Sequence, residues 1–306
     1  MAFEVKATIA TFGGKLLKLT HQSTSTGTPM NVSVYLPPAA LQSNPASPPL
    51  PVLFYLSGLT CTPDNCTEKG FLHAAASPRG IAVVYPDTSP RGANIAGEDE
   101  SYDFGTGAGF YVDATAAPWS AHYRMETYVA SELPDLLFSE PSDPAGGVIP
   151  GFPGVRFDRA RASITGHSMG GHGALTLFLK YPGRYRSVSA FAPIANPVAC
   201  PWGRKAFAGY LGEGGGGKDD EWKKHDATEL VRAGRAPAEL PALIDVGTGD
   251  NFYKQGQLLP ENLEAALREK GVKGVEVRYH ADYDHSYYFI STFAQDHVNH
   301  AAKYLL

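Results

Sequence analysis

The sequence predicts an α/β protein with a mostly parallel central sheet and helices on both faces. Three observations carry that expectation. Short, continuously apolar runs at residues 52–56 and 81–85 read as strands buried on both faces. Segments with apolar residues at helical spacing alternate with such runs, as at 123–139 and 260–270. A glycine-flanked serine, Gly166-His167-Ser168-Met169-Gly170, lies where one short strand meets one helix.

In chain order, residues 3–20 alternate in β fashion, and 31–36 (NVSVYL) follow as a strand. Residues 37–51, PPAALQSNPASPPLP, read as an exposed loop, because proline has no N–H to give a ladder. Further strands are expected at 52–56, 81–85, 162–165, 188–191, 243–246 and 275–279. Helices are expected at 123–139, 173–181, 260–270 and 286–304, the third closed by Gly271, a residue suited to a C-terminal cap. Residues 196–240 read as a loop-rich excursion, with the glycine run at 214–217 as a mobile tip. All of this is expected to form a single domain over 1–306.

Composition narrows the function. Apolar residues make up 43% and charged residues 19% of the 306, which suits a globular chain with a large core. The net charge of −5, without a basic stripe, argues against a nucleic-acid partner. No apolar run approaches the roughly 20 residues of a membrane span. Three cysteines, Cys61, Cys66 and Cys200, do not make the even framework of a stapled secreted domain. With no secretory signal legible at the N-terminus, a cytoplasmic location is expected.

The pentapeptide around Ser168 fits G-x-S-x-G, the tight strand-to-helix turn of an α/β-hydrolase fold. Small residues are needed there so that neighbouring backbones can pass closely. Ser168 is the candidate nucleophile. His167 and His172 lie too near it in sequence to serve as its base and read as structural. In this fold the acid and then the histidine follow the serine along the chain. Asp250, just past the strand at 243–246, is preferred to Asp245, which falls inside the strand. His285, in the loop past the last strand, is preferred to His280, which ends that strand; a loop lets the imidazole reach the serine hydroxyl. His297 and His300 read as surface residues of the last helix. No metal-ligand pattern stands out, and neither metal nor cofactor is expected.

Segments spread over nearly the whole chain resemble the S-formylglutathione hydrolase family, also called esterase D. They are residues 54–62 (FYLSGLTCT), 107–115 (GAGFYVDAT), the Ser168 elbow, 196–203 (NPVACPWG), 256–260 (GQLLP) and 283–289 (YDHSYYF). The resemblance implies hydrolysis of a thioester, S-formylglutathione, to formate and glutathione, as in formaldehyde detoxification. It places the triad on Ser168, Asp250 and His285 and one oxyanion donor on the backbone N–H of Leu59. The other donor, the N–H of Met169, follows from its position directly after the nucleophile. A homodimer is implied as well. Trp202 and Phe110 are candidate walls of a narrow acyl pocket, and Cys61 is a candidate regulatory thiol beside the oxyanion loop. Lys69, Arg204 and Lys205 are candidate partners for glutathione's carboxylates. The nearest alternative is a broad small-acyl carboxylesterase; an acyltransferase and a non-catalytic scaffold stand further off.

Overall fold

The computed structural model describes residues 3–44, 46–138, 149–213 and 218–306. Among them, nine strands join into one sheet in the order β1-β2-β3-β5-β4-β6-β7-β8-β9. They are β1 Glu4–Thr11, β2 Gly14–Gln22, β3 Pro29–Leu36, β4 Leu50–Leu56, β5 Ala82–Pro86, β6 Phe157–His167, β7 Val188–Phe191, β8 Glu239–Gly247 and β9 Lys273–His280. From β5 across to β9 every neighbouring pair is parallel, while β1, β2 and β3 pair antiparallel at one side. This is the mostly parallel sheet of an α/β-hydrolase.

The strands that read as continuously apolar are buried along their whole length: seven residues in β4, five in β5 and four in β7. Helices cover both faces of these strands, so no alternation between core and solvent is required. Each fully buried aliphatic side chain contributes about 1.5–3 kcal/mol. The core therefore holds the central strands rigidly, and their carboxyl ends are firm mounting points for loops.

Four expectations need correction. The 37–51 segment is not loop throughout: Pro38–Gln42 is a 3-10 turn and β4 begins at Leu50, whose buried position outweighs its proline neighbours. The 3–20 segment is two antiparallel strands, turned at Phe12 and Gly13, both at positive φ. The 196–240 excursion contains the helices Pro201–Leu211, Lys218–Lys223 and Ala227–Arg232. In the first of these, Trp202, Ala206, Phe207, Tyr210 and Leu211 are buried, a stripe at helical spacing. His297 and His300 are buried rather than exposed. His297 stacks on Phe191 at 3.5 Å and lies 3.1 Å from Asp245, while His300 donates to the Pro241 carbonyl at 3.1 Å.

The 123–139 helix is continuous from Met125 to Leu137 but widens to a π-turn over Tyr128–Glu132, just before Pro134. Ser139 and the glycine run 214–217 lie outside the described residues. No helix among the described residues is long and apolar enough to cross a membrane.

Candidate active site

Loops leaving the carboxyl ends of β4, β6, β8 and β9 converge on one cavity. That is where open α/β sheets bind ligands. Ser168 follows β6 and precedes the helix Met169–Lys180, with φ 59° and ψ −118°. A non-glycine residue so placed costs about 1–3 kcal/mol, a strain typical of functional sites. The flanking glycines explain how the turn closes. A Cβ on Gly166 would lie 2.2 Å from the Gly170 carbonyl oxygen, and one on Gly170 would lie 2.0 Å from that of Leu56. A side chain at Gly166 would push the following helix off β6, and one at Gly170 would push it off β4.

Asp250 is fully buried at the start of the short helix Asn251–Lys254. Its Oδ1 accepts from the N–H of Phe252 at 2.7 Å, and its Oδ2 faces His285 Nδ1 at 2.5 Å. A carboxylate only accepts, so Nδ1 donates, and the lone pair of the neutral imidazole is left on Nε2. Ser168 and His285 line the same cavity of 230 Å³. Close backbone packing sets the position of His285. Cβ atoms on Gly247 and Gly249 would meet the carbonyls of Tyr283 and Asp282 at 2.3 and 2.4 Å. The loop bearing the histidine thus lies directly on the loop bearing the acid. Beyond it, Asp284 accepts from the N–H of Ser286 at 3.0 Å, and Ser286 caps the last helix, Tyr287–Leu305.

The loop after β4 forms the opposite wall. A Cβ on Gly58 would lie 3.1 Å from the Ser168 Cβ, so Leu59 sits one residue from close contact with Ser168. Tyr111 donates to the Ser57 carbonyl at 2.9 Å, and Thr60 donates its N–H to Gly107 at 2.9 Å. These bonds give the 107–115 segment its role: it braces the loop. Met169 is the first residue of its helix, where backbone N–H groups have no partner inside the helix and the dipole favours an anion.

The remaining walls are Cys61, Tyr102, His167, Trp202 and Phe252. Trp202 is therefore at the cavity, donating from Nε1 to Tyr102 at 3.2 Å, with its ring 4.6 Å from that of Phe252. Phe110 is not. It is fully buried in the core, and its carbonyl accepts from His172 Nε2 at 2.9 Å. Burial pushes the Cys61 thiol above its ordinary pKa, against the pull of the Tyr287 hydroxyl and Lys69. His167 is buried with its ring 4.5 Å from that of His285. Burial, with His285 nearby, holds it well below 6.5, so it stays neutral. Asp245 is bound from behind by both Arg278 and His297, away from this cavity. Tyr102 and Phe252 were missed from sequence, although Phe252 stands only two residues past Asp250.

Fold and site together define a serine hydrolase of the α/β-hydrolase class. The Esterase family model matches residues 23–300. S-formylglutathione hydrolase of Mus musculus is 52% identical over 294 residues, covering 96% of this chain and 95% of that protein. That of Paracoccus denitrificans is 48% identical over 307 residues, covering 100% and 99%. The solved S-formylglutathione hydrolase from Agrobacterium tumefaciens superposes with a TM-score of 0.86 at 42% identity, covering 99% of each chain. The chain belongs to the S-formylglutathione hydrolase family.

Proposed function

We propose that this chain hydrolyses S-formylglutathione to formate and glutathione, with Ser168, His285 and Asp250 as a catalytic triad. The observation that carries the reading is the Asp250–His285 pair at 2.5 Å, set in one cavity with a serine held at φ 59°. His285 Nε2 takes the proton from Ser168 Oγ as Oγ bonds to the formyl carbon. The oxyanion forms against the N–H groups of Leu59 and Met169, where each donor is worth about 3–4 kcal/mol. The C–S bond then breaks and the imidazolium returns its proton to the leaving sulfur. Water, deprotonated by His285, attacks the formyl-serine; the bond from the formyl carbon to Oγ breaks, the imidazolium returns the proton to Ser168 Oγ, and formate leaves. Asp250 holds the tautomer and stabilises the imidazolium without accepting its proton.

A thiolate, with a solution pKa near 8.5, is a good leaving group, so most of the burden falls on oxyanion stabilisation. As part of this reading the family resemblance implies a homodimer, and a cytoplasmic location is expected. Rates for S-formylglutathione and p-nitrophenyl acetate, measured side by side, test the assignment. A preference for the thioester of about 100-fold or more in kcat/KM, some 3 kcal/mol of transition-state binding, is expected. Near equality would favour the broad carboxylesterase.

A further inference from the structure

The Ser168 cavity, at 230 Å³, is comparable to a cube about 6 Å on edge. An extended tripeptide spans roughly 10 Å, so most of a glutathionyl group must lie beyond it. A second groove, of 580 Å³, has Glu68, Lys69, Phe71, Tyr287 and Tyr288 among its walls. Tyr287 links this groove to the first cavity. Its hydroxyl lies 3.8 Å from Cys61 Sγ and its ring 6.1 Å from that of His167, both of which line the first cavity. Ser286, in the groove, directly follows His285.

Joined through sulfur, glutathione carries two carboxylates and one ammonium near neutral pH. The groove offers a cation for one of those carboxylates, Lys69; the neighbouring Glu68 is already 3.8 Å from Lys18. Other cations around the cavity are engaged: Arg91 with Asp87 at 2.9 Å, Lys205 with Asp103, and Lys254 with the Gly249 carbonyl at 3.2 Å. Arg204 lines neither space. Among the described residues Lys69 has no ion pair, yet its charge acts on the Cys61 thiol. A second feature also marks the groove as built for contact. Phe71 is held at φ 57°, a costly conformation for a bulky residue, and is 55% exposed, while Tyr288 is 84% exposed.

We propose that the glutathionyl group leaves the Ser168 cavity over Cys61 and Tyr287 and lies in this groove. One of its carboxylates pairs with Lys69. The assignment rests on the thioester reading above and adds a specificity-determining residue, Lys69, to it.

The test is steady-state kinetics of Lys69→Gln and Lys69→Glu on S-formylglutathione and on p-nitrophenyl acetate. S-methylglutathione serves as a non-hydrolysable competitor of the ester. The expected result is a KM for the thioester raised about 5–10-fold in Lys69→Gln and further in Lys69→Glu, with kcat within about twofold. The inhibition constant of S-methylglutathione should rise by the same factor, and the ester constants should stay put. Unchanged KM and inhibition constant, in a protein that does turn over S-formylglutathione, would overturn the groove alone. A wild-type protein inactive on that thioester would overturn the thioester reading instead. If the groove is covered by a second copy of the chain, Tyr288→Glu will break the dimer while leaving S-methylglutathione inhibition unchanged, which also contradicts the assignment.

Discussion

Asp250 divides its two oxygens between the backbone and the imidazole: Oδ1 takes the Phe252 N–H at 2.7 Å, and Oδ2 takes His285 Nδ1 at 2.5 Å. The first bond fixes the carboxylate in a fully buried position, and the second transmits that fixity to the histidine. A loop histidine would otherwise sample several rotamers. Anchored this way, with Nδ1 taken up by Asp250, its Nε2 carries the lone pair that can accept a proton.

Asp250→Asn keeps an acceptor for the Phe252 N–H but presents the wrong partner to Nδ1. It should lower kcat by about 10⁴-fold, with much less effect on KM or on the melting temperature. Asp245→Asn should instead act mainly on stability, because Asp245 binds Arg278 and His297 away from the cavity. Rate and thermal melting measured on both variants separate the two carboxylates.

Gly170→Ala tests the steric origin of the elbow. The added methyl would lie 2.0 Å from the Leu56 carbonyl, so β4 or the elbow must shift. A destabilisation of about 1–3 kcal/mol is expected in urea unfolding, together with a larger proportional loss of activity.

Trp202→Ala opens the wall that Trp202 forms with Phe252 and Tyr102. Its effect should be a shift of acyl preference, with butyryl thioester gaining about tenfold relative to formyl in kcat/KM. An unchanged ratio across formyl, acetyl and butyryl thioesters would remove Trp202 from the acyl wall.

Cys61 has a depressed thiolate fraction because burial raises its pKa. Alkylation by iodoacetamide should therefore be slow at pH 7, with its rate still climbing above pH 9. Mass spectrometry of the modified peptide follows the reaction. Activity should fall in step with label at Cys61, since the thiol lines the cavity.

Stability in acid should depend on Glu126. Burial would raise its carboxyl pKa, but the hydrogen bond from His225 and the charge of Lys180 outweigh it and hold the group at about 2. Depressed from 4.5, it stabilises the fold fully above about pH 4.5 and loses that contribution as pH falls toward 2. The amount is up to about 3 kcal/mol. Between pH 6 and pH 3, wild type should lose more stability in urea than Glu126→Gln does.

Parts of this molecule are legible in its sequence because a local steric or topological rule dictates them. Gly166 and Gly170 must be glycine for the Ser168 turn to close, and the order of strands leaves few places for Asp250 and His285. Side-chain direction in irregular segments is a different matter. Nothing local distinguishes Phe110, which points into the core, from Trp202, which points into the cavity. The helix Pro201–Leu211 and the burial of His297 were readable in principle. Trp202, Ala206 and Tyr210 recur four residues apart, and His297 adjoins Val298 on the stripe with Ala294 and Ala301. The groove beside Lys69 brings together residues more than 200 positions apart, and only the folded chain reveals it.

Fluorophosphonate labelling followed by peptide mapping tests the central assignment most directly, because the reagent reports an activated serine whatever the natural substrate. Stoichiometric label on Ser168 is expected in the folded protein, and at least a hundredfold slower labelling in His285→Ala. No label, label on another serine, or equal labelling in His285→Ala would contradict that assignment.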